Sequence, residues 1–160
     1  MTDSNVYYYL DTSARVKRYA QEDGSARVQA LCEDGDTAKA IAHIGMVEAV
    51  AALHKKQRTG ELSEERCIQL VEDFLRDAEN LDYVFVSIDE RVVNQAVDLA
   101  QQHPLKGYDA VHLACALMVS DYYLDAPDSN MTFVAADGNL LEYARAEGLE
   151  TECPVDLAPV

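Results

Sequence analysis

Three short apolar runs rich in β-branched and aromatic residues, Val6 to Leu10, Tyr83 to Ile88 and Thr132 to Ala136, are each followed by a segment with helical periodicity. An unbroken apolar run is a strand covered on both faces, which occurs in parallel sheets whose crossovers are helices. The pattern predicts a three-layer α/β/α sandwich around a mainly parallel central sheet. A weaker, alanine-rich strand is expected over Thr37 to Ile44, and a short last one over Thr151 to Val155. Helices are expected from Thr12 to about Tyr19, Ser25 to Glu33, Met46 to Arg58, Ser63 to Asn80, Asp89 to Gln102, Tyr108 to Ser120 and Gly138 to Glu147. The segment Asp121 to Asn130, which holds Pro127 and Asp128-Ser129-Asn130, reads as a flexible loop.

At 160 residues and 49% hydrophobic, the chain has the size of one domain, 1–160, able to bury a core without staples. Cys32, Cys67, Cys115 and Cys153 show no C-x-x-C pairing, so free and mostly buried thiols are expected. The longest apolar stretches, Ile44 to Leu53 and Ala110 to Val119, are too short to span a bilayer, and Glu48 interrupts the first. The polar, acidic start of the sequence lacks the features of a secretory signal, so the expected location is the cytoplasm, with no membrane partner.

Four acids stand at unusual places. Asp11 follows the first apolar run and Asp137 the third; Glu48 sits amid Met46, Val47, Ala49, Val50 and Leu53; Asp109 opens the most apolar helix. Each aspartate alone reads equally well as a helix N-cap. Jointly they point further, because open α/β sheets bind ligands outside the carboxyl ends of their strands, where these residues would converge. Several carboxylates at one spot are costly unless a divalent cation shares them, and oxygen ligands suit Mg²⁺ or Mn²⁺. Such a centre can activate water and neutralise the charge that builds on a phosphodiester during in-line hydrolysis. Thr12, Ser13 and Arg15 beside Asp11, and Asn139 beside Asp137, are candidates for pocket or substrate contacts.

Other features carry less. His112 lies one helical turn after Asp109, and inside so apolar a helix it reads as a hydrogen-bonded core histidine. Ser13 has no G-x-S-x-G elbow around it, no glycine-rich phosphate loop is present, and Tyr7-Tyr8-Tyr9 reads as strand core. Net charge opposes a nucleic-acid substrate: 13 basic against 29 acidic residues give −16, a field that repels polyanions. Two basic clusters, Arg15, Lys17 and Arg18, then Lys55, Lys56 and Arg58, read as solvated helix faces.

The succession Tyr9-Leu10-Asp11-Thr12-Ser13-Ala14, Val47-Glu48, Gly107-Tyr108-Asp109-Ala110-Val111-His112-Leu113-Ala114 and Val134-Ala135-Ala136-Asp137-Gly138-Asn139-Leu140 resembles the PIN-domain ribonucleases, VapC-type toxins above all. The resemblance covers essentially the whole chain. It implies that Asp11, Glu48, Asp109 and Asp137 form an acidic quartet holding Mg²⁺ or Mn²⁺, with Ser13 lining the same pocket. It further implies a metal-dependent RNA endonuclease, an antitoxin that inserts a segment at the active site, and homodimers. The chain departs from the family at Gly45-Met46, where a polar serine or threonine pair often precedes the helix, and in its acidity. A rival reading follows from that charge: a non-catalytic module of the same fold whose acidic pocket engages a basic protein partner. A small-molecule phosphatase of another α/β type fits worse, because Asp11 is followed by Thr12-Ser13 and not by a D-x-D start.

Overall fold

The computed structural model of the chain describes residues 6–80, 83–123 and 130–155. They form a wholly parallel sheet of β1 (Val6–Leu10), β2 (Ala38–Ala42), β3 (Tyr83–Val86), β4 (Asn130–Val134) and β5 (Glu150–Glu152). The helices are α1 (Thr12–Arg15), which tightens into a 3₁₀ turn over Val16–Arg18, α2 (Ser25–Glu33), α3 (Gly45–Arg58), α4 (Glu64–Asn80), α5 (Glu90–Gln102), α6 (Gly107–Tyr123) and α7 (Gly138–Ala146).

Strand order is β3-β2-β1-β4-β5, so the chain builds outward from β1 to one side and then crosses back to build the other. That reversal parts the connections above β1 and β4 and leaves a crevice at their carboxyl ends, where ligands bind in sheets of this kind. Leu10 is in register with Val134, and the Asp11 N–H donates to the Val134 carbonyl at 3.0 Å. Asp11 and the residues after Val134 therefore leave the sheet at the same level.

β1 is buried on both sides, as its apolar run predicts. Tyr9 stacks on Phe133 with ring centres 5.4 Å apart, in a core shared with Ala40, Ala42 and apolar residues of α5, α6 and α7. Leu10 packs in a separate cluster with Val28 and Leu31 of α2, Ile41 and Val134. A third cluster joins Val16 to Leu53 of α3 and to Cys67, Leu70 and Phe74 of α4. The first two clusters cover the two faces of the sheet, and the third packs helices against one another. β2 forms despite its alanines because Ala40 and Ala42 are small enough for α6 to lie close over the sheet, so packing overrides a weak intrinsic preference. All four cysteines are free, three of them buried.

Some boundaries differ from expectation. The first helix keeps α-geometry only to Arg15, and the last strand ends at Glu152, ahead of Pro154, whose missing N–H could not serve a ladder. Of the expected loop Asp121 to Asn130, residues 124–129 lie outside the described residues. Asp121 to Tyr123 instead continue α6, since nothing in them breaks a helix, and Asn130 begins β4. Among the described residues, no helix is long and apolar enough to cross a membrane.

Candidate active site

Asp11 ends β1 and caps α1. Its Oδ2 accepts hydrogen bonds from the Ser13 N–H at 3.3 Å and the Ser13 hydroxyl at 2.6 Å. The Ser13 oxygen in turn accepts the Ala136 N–H at 3.2 Å, so one hydroxyl ties the end of β1 to the end of β4 across the crevice. Asp11 is thus buried with its orientation fixed.

Glu48 is placed by the approach of α3 to Thr12. A Cβ at Gly45 would lie 3.2 Å from Thr12 Oγ1, so a side chain there would push the helix away. Glycine at this position permits the contact that follows: the Thr12 hydroxyl donates to Glu48 Oε1 at 3.2 Å. The same oxygen accepts from His112 Nε2 at 2.6 Å. His112 is buried, and its Nδ1 lies 2.8 Å from the Tyr9 hydroxyl and 3.7 Å from Asp11 Oδ1. In the neutral ring Tyr9 donates to Nδ1; in the protonated ring Nδ1–H donates to Tyr9, and Glu48 accepts from Nε2–H either way. Burial pulls the imidazole toward neutrality, but the bond to Glu48 and the charges of Asp11, Glu48 and Asp109 outweigh it and raise its pKa. Histidine 112 is a satisfied core residue, as expected, yet one of its partners is a cleft carboxylate.

Asp109 lies in the first turn of α6, half-buried. Burial raises its pKa, and the charges of Asp11 and Asp137 raise it further. Three carboxylates from three elements therefore feel one another at the same sheet edge. Asp137 is exposed and caps α7, its Oδ1 accepting from the Asn139 N–H at 2.9 Å and the Leu140 N–H at 3.4 Å.

The residues line a cleft of about 470 Å³. Asp11, Thr12, Ser13, Glu48, Asp109 and Ala136 make one wall, and Lys17, Glu22 and Lys56 belong to the same cleft. Asp137 and Asn139 are not among its lining residues. Among the described residues, no group of three or more histidine, cysteine, aspartate or glutamate side chains is placed to hold a metal ion by itself. The donor set nonetheless fits a hydrated hard cation. It is all oxygen, its carboxylates repel one another with His112 and Lys106 only partly offsetting this at Asp109, and Mg²⁺ keeps several waters in place of protein ligands.

Arg15 requires correction as a pocket candidate. It is 1% exposed, with its guanidinium 4.4 Å from the ring centre of Phe74 and 5.0 Å from that of Tyr83. Cation–π attraction holds it in the core and away from the cleft. The solvated-face reading of the basic clusters also fails in part. Lys17 is buried, and it meets Lys56 of the second cluster at a shared partner, Glu22, with each ammonium 3.1 Å from one of its oxygens. No spacing links residues 17, 22 and 56, so only the fold reveals their meeting; the helical step from Glu48 to Ala52 to Lys56 was the available hint.

The PIN domain family matches residues 8–145. Ribonuclease VapC49 of Mycobacterium tuberculosis is 37% identical over 115 residues, 71% of this chain and 76% of that protein. The crystal structure of FitAcB from Neisseria gonorrhoeae superposes with a TM-score of 0.63 at 16% identity, covering 94% of this chain and 99% of that one. PAE2754 from Pyrobaculum aerophilum gives a TM-score of 0.60 at 20% identity, over 92% of this chain and 84% of that one.

Proposed function

Since the chain belongs to the PIN-domain family, in its VapC branch, we propose that it is a metal-dependent RNA endonuclease of a toxin–antitoxin pair. The observation that carries this reading is the meeting of Asp11, Glu48 and Asp109 in one cleft at the switch point of the sheet, with Asp137 close enough to bear on Asp109. Asp11 and Asp109 would hold Mg²⁺ or Mn²⁺, with Asp137 as a further ligand. Bound there, the cation supplies Lewis acidity to the phosphate and lowers the pKa of its water.

The chain's own residues do the rest. Ser13 keeps Asp11 aimed into the cleft. Glu48, gripped by Thr12 and His112, orients the attacking water. Its carboxylate is held in one pose because two donors converge on Oε1, and that constraint is what makes it a positioning group for a nucleophile. The antitoxin would seat on Val47 and Tyr108, each next to a cleft carboxylate in sequence, which expose large apolar side chains. A homodimer and a cytoplasmic setting belong to the same proposal, as does a single domain over the whole chain.

The strong negative charge favours the rival reading, an acidic pocket that binds a basic protein without chemistry. Incubating purified protein with total RNA in Mg²⁺, in Mn²⁺ and in EDTA separates the two. Cleavage with either metal, absent in EDTA and absent in Asp109→Asn, is expected; an intact RNA pool under all conditions would leave the binding module standing.

A further inference from the structure

Lys17, Glu22 and Lys56 form a charge cluster that neither the acidic residues nor the sheet explains. Glu22 bridges both ammonium groups, its Oε1 to Lys17 and its Oε2 to Lys56, and Lys56 also meets Glu61 at 3.1 Å. The arrangement is built into the fold. The Ser25 hydroxyl, fully buried, accepts the Glu22 N–H at 2.9 Å and donates to the Ala20 carbonyl, fixing the loop that presents Glu22. Gly24, with φ +90°, lets this loop turn against the Pro154 backbone, from which a Cβ there would lie 3.1 Å, with Lys17 Cδ at 3.3 Å. Lys56 stands two turns beyond Glu48 on the same face of α3, roughly 12 Å along its axis.

We infer that Lys17 and Lys56 are a subsite for an RNA backbone phosphate flanking the one that is cut, and that Glu22 sets the spacing of the two lysines at the cost of its own negative charge there. The inference rests on the nuclease reading above and deepens it. One carboxylate shared by two ammonium groups leaves donors unspent, because each ammonium has three N–H groups and Lys17 meets only Glu22 among the described residues. A phosphate oxygen can take those donors without displacing Glu22. The two lysines lie inside the same cleft as Asp11, Glu48 and Asp109, and because Glu22 and Glu61 balance their charge, what they offer a phosphate is ammonium N–H donors and not a net positive field. The cluster also sets direction, since a strand anchored there runs along α3 toward Glu48.

Binding of a short fluorescein-labelled oligouridylate, measured by anisotropy over a salt series in the non-cleaving Asp109→Asn background, tests this. Lys17→Met with Lys56→Met is expected to weaken binding about tenfold or more at low salt and to reduce the slope of log K against log salt by about 0.7, the value for one phosphate contact. Glu22→Gln is expected to tighten binding severalfold, whereas a purely structural Glu22 would give unchanged or weaker binding. Should the double variant lose its circular dichroism, Lys56→Met alone, at the more exposed end of the cluster, gives half the change in slope. Parental affinity and slope in a folded lysine variant would overturn the subsite alone, provided the unmutated chain cleaves RNA. No binding and no cleavage by the unmutated chain would overturn the nuclease reading and the subsite with it.

Discussion

The acids of the cleft are held in two different ways. Asp11 and Glu48 are locked: a serine hydroxyl and one backbone N–H fix the first, and a threonine and a buried histidine fix the second. Among the described residues no hydrogen bond fixes the Asp109 carboxylate in the first turn of α6, and Asp137 is held through one oxygen by capping α7. The locked pair can define where a cation and a water sit before either arrives. The looser pair can close on them afterward, relieving the repulsion from Asp11 and Asp137 that adds to burial in raising the Asp109 pKa. A hydrogen bond already made costs no further ordering, whereas a free carboxylate must lose rotamer freedom on binding.

The largest effect expected from breaking this contrast is at the ligands. Asp11→Asn or Asp109→Asn should lower metal-dependent RNA cleavage by on the order of a thousandfold, because each removes charge where metal and phosphate meet. Cleavage rates at saturating Mn²⁺ give the comparison, and wild-type rates in both variants would remove these residues from the proposed centre. Next comes the support of the locked pair. His112→Ala should cost roughly 10- to 100-fold in activity, the range seen for groups that orient metal-site ligands. His112→Gln, whose amide can still donate to Glu48, should recover part of it. Equal losses in the two variants would mean that His112 serves the core alone.

A smaller change separates the two roles of Asp137. Asp137→Asn keeps the cap of α7 and should lower activity without loss of stability, while Asp137→Ala should also cost about 1 kcal/mol of stability by denaturant titration. Identical stability of the two would show that the cap contributes nothing. The smallest effect concerns folding without metal. At neutral pH Asp109 is ionised against its neighbours, so its raised pKa marks a cost that disappears as pH falls below it. In EDTA, Asp109→Asn should therefore melt higher than wild type by roughly 2 °C, a size set by domain length. Added Mn²⁺ should reverse the order by stabilising only the wild type.

Much of this was legible in the residues. The run Val6 to Leu10 announced a strand buried on both faces, and Tyr9 and Leu10 are buried in separate clusters. The positions of Asp11 and Asp137 after the first and third runs placed them at one sheet edge, and β1 does lie beside β4, although Asp137 is not among the residues that line the cleft. What stayed hidden depended on contacts distant in sequence. Arg15 reads as a cleft cation because it follows Asp11 closely, but the 3₁₀ turn and the rings of Phe74 and Tyr83 draw it inward. Gly45 reads as a departure at the rim, and only the 3.2 Å clearance to Thr12 Oγ1 shows that it permits the grip on Glu48. Glu22 gave no local sign at all, since its meaning lies in two lysines from different helical segments.

The central claim is that Asp11 and Asp109 share a cation. A crystal of the protein soaked in Mn²⁺, with anomalous scattering recorded at the manganese edge, tests it most directly. The account predicts a peak in contact with a carboxylate oxygen of each, with Glu48 still bonded to His112 beside it. A peak away from both residues, or an empty cleft at saturating Mn²⁺, would contradict it.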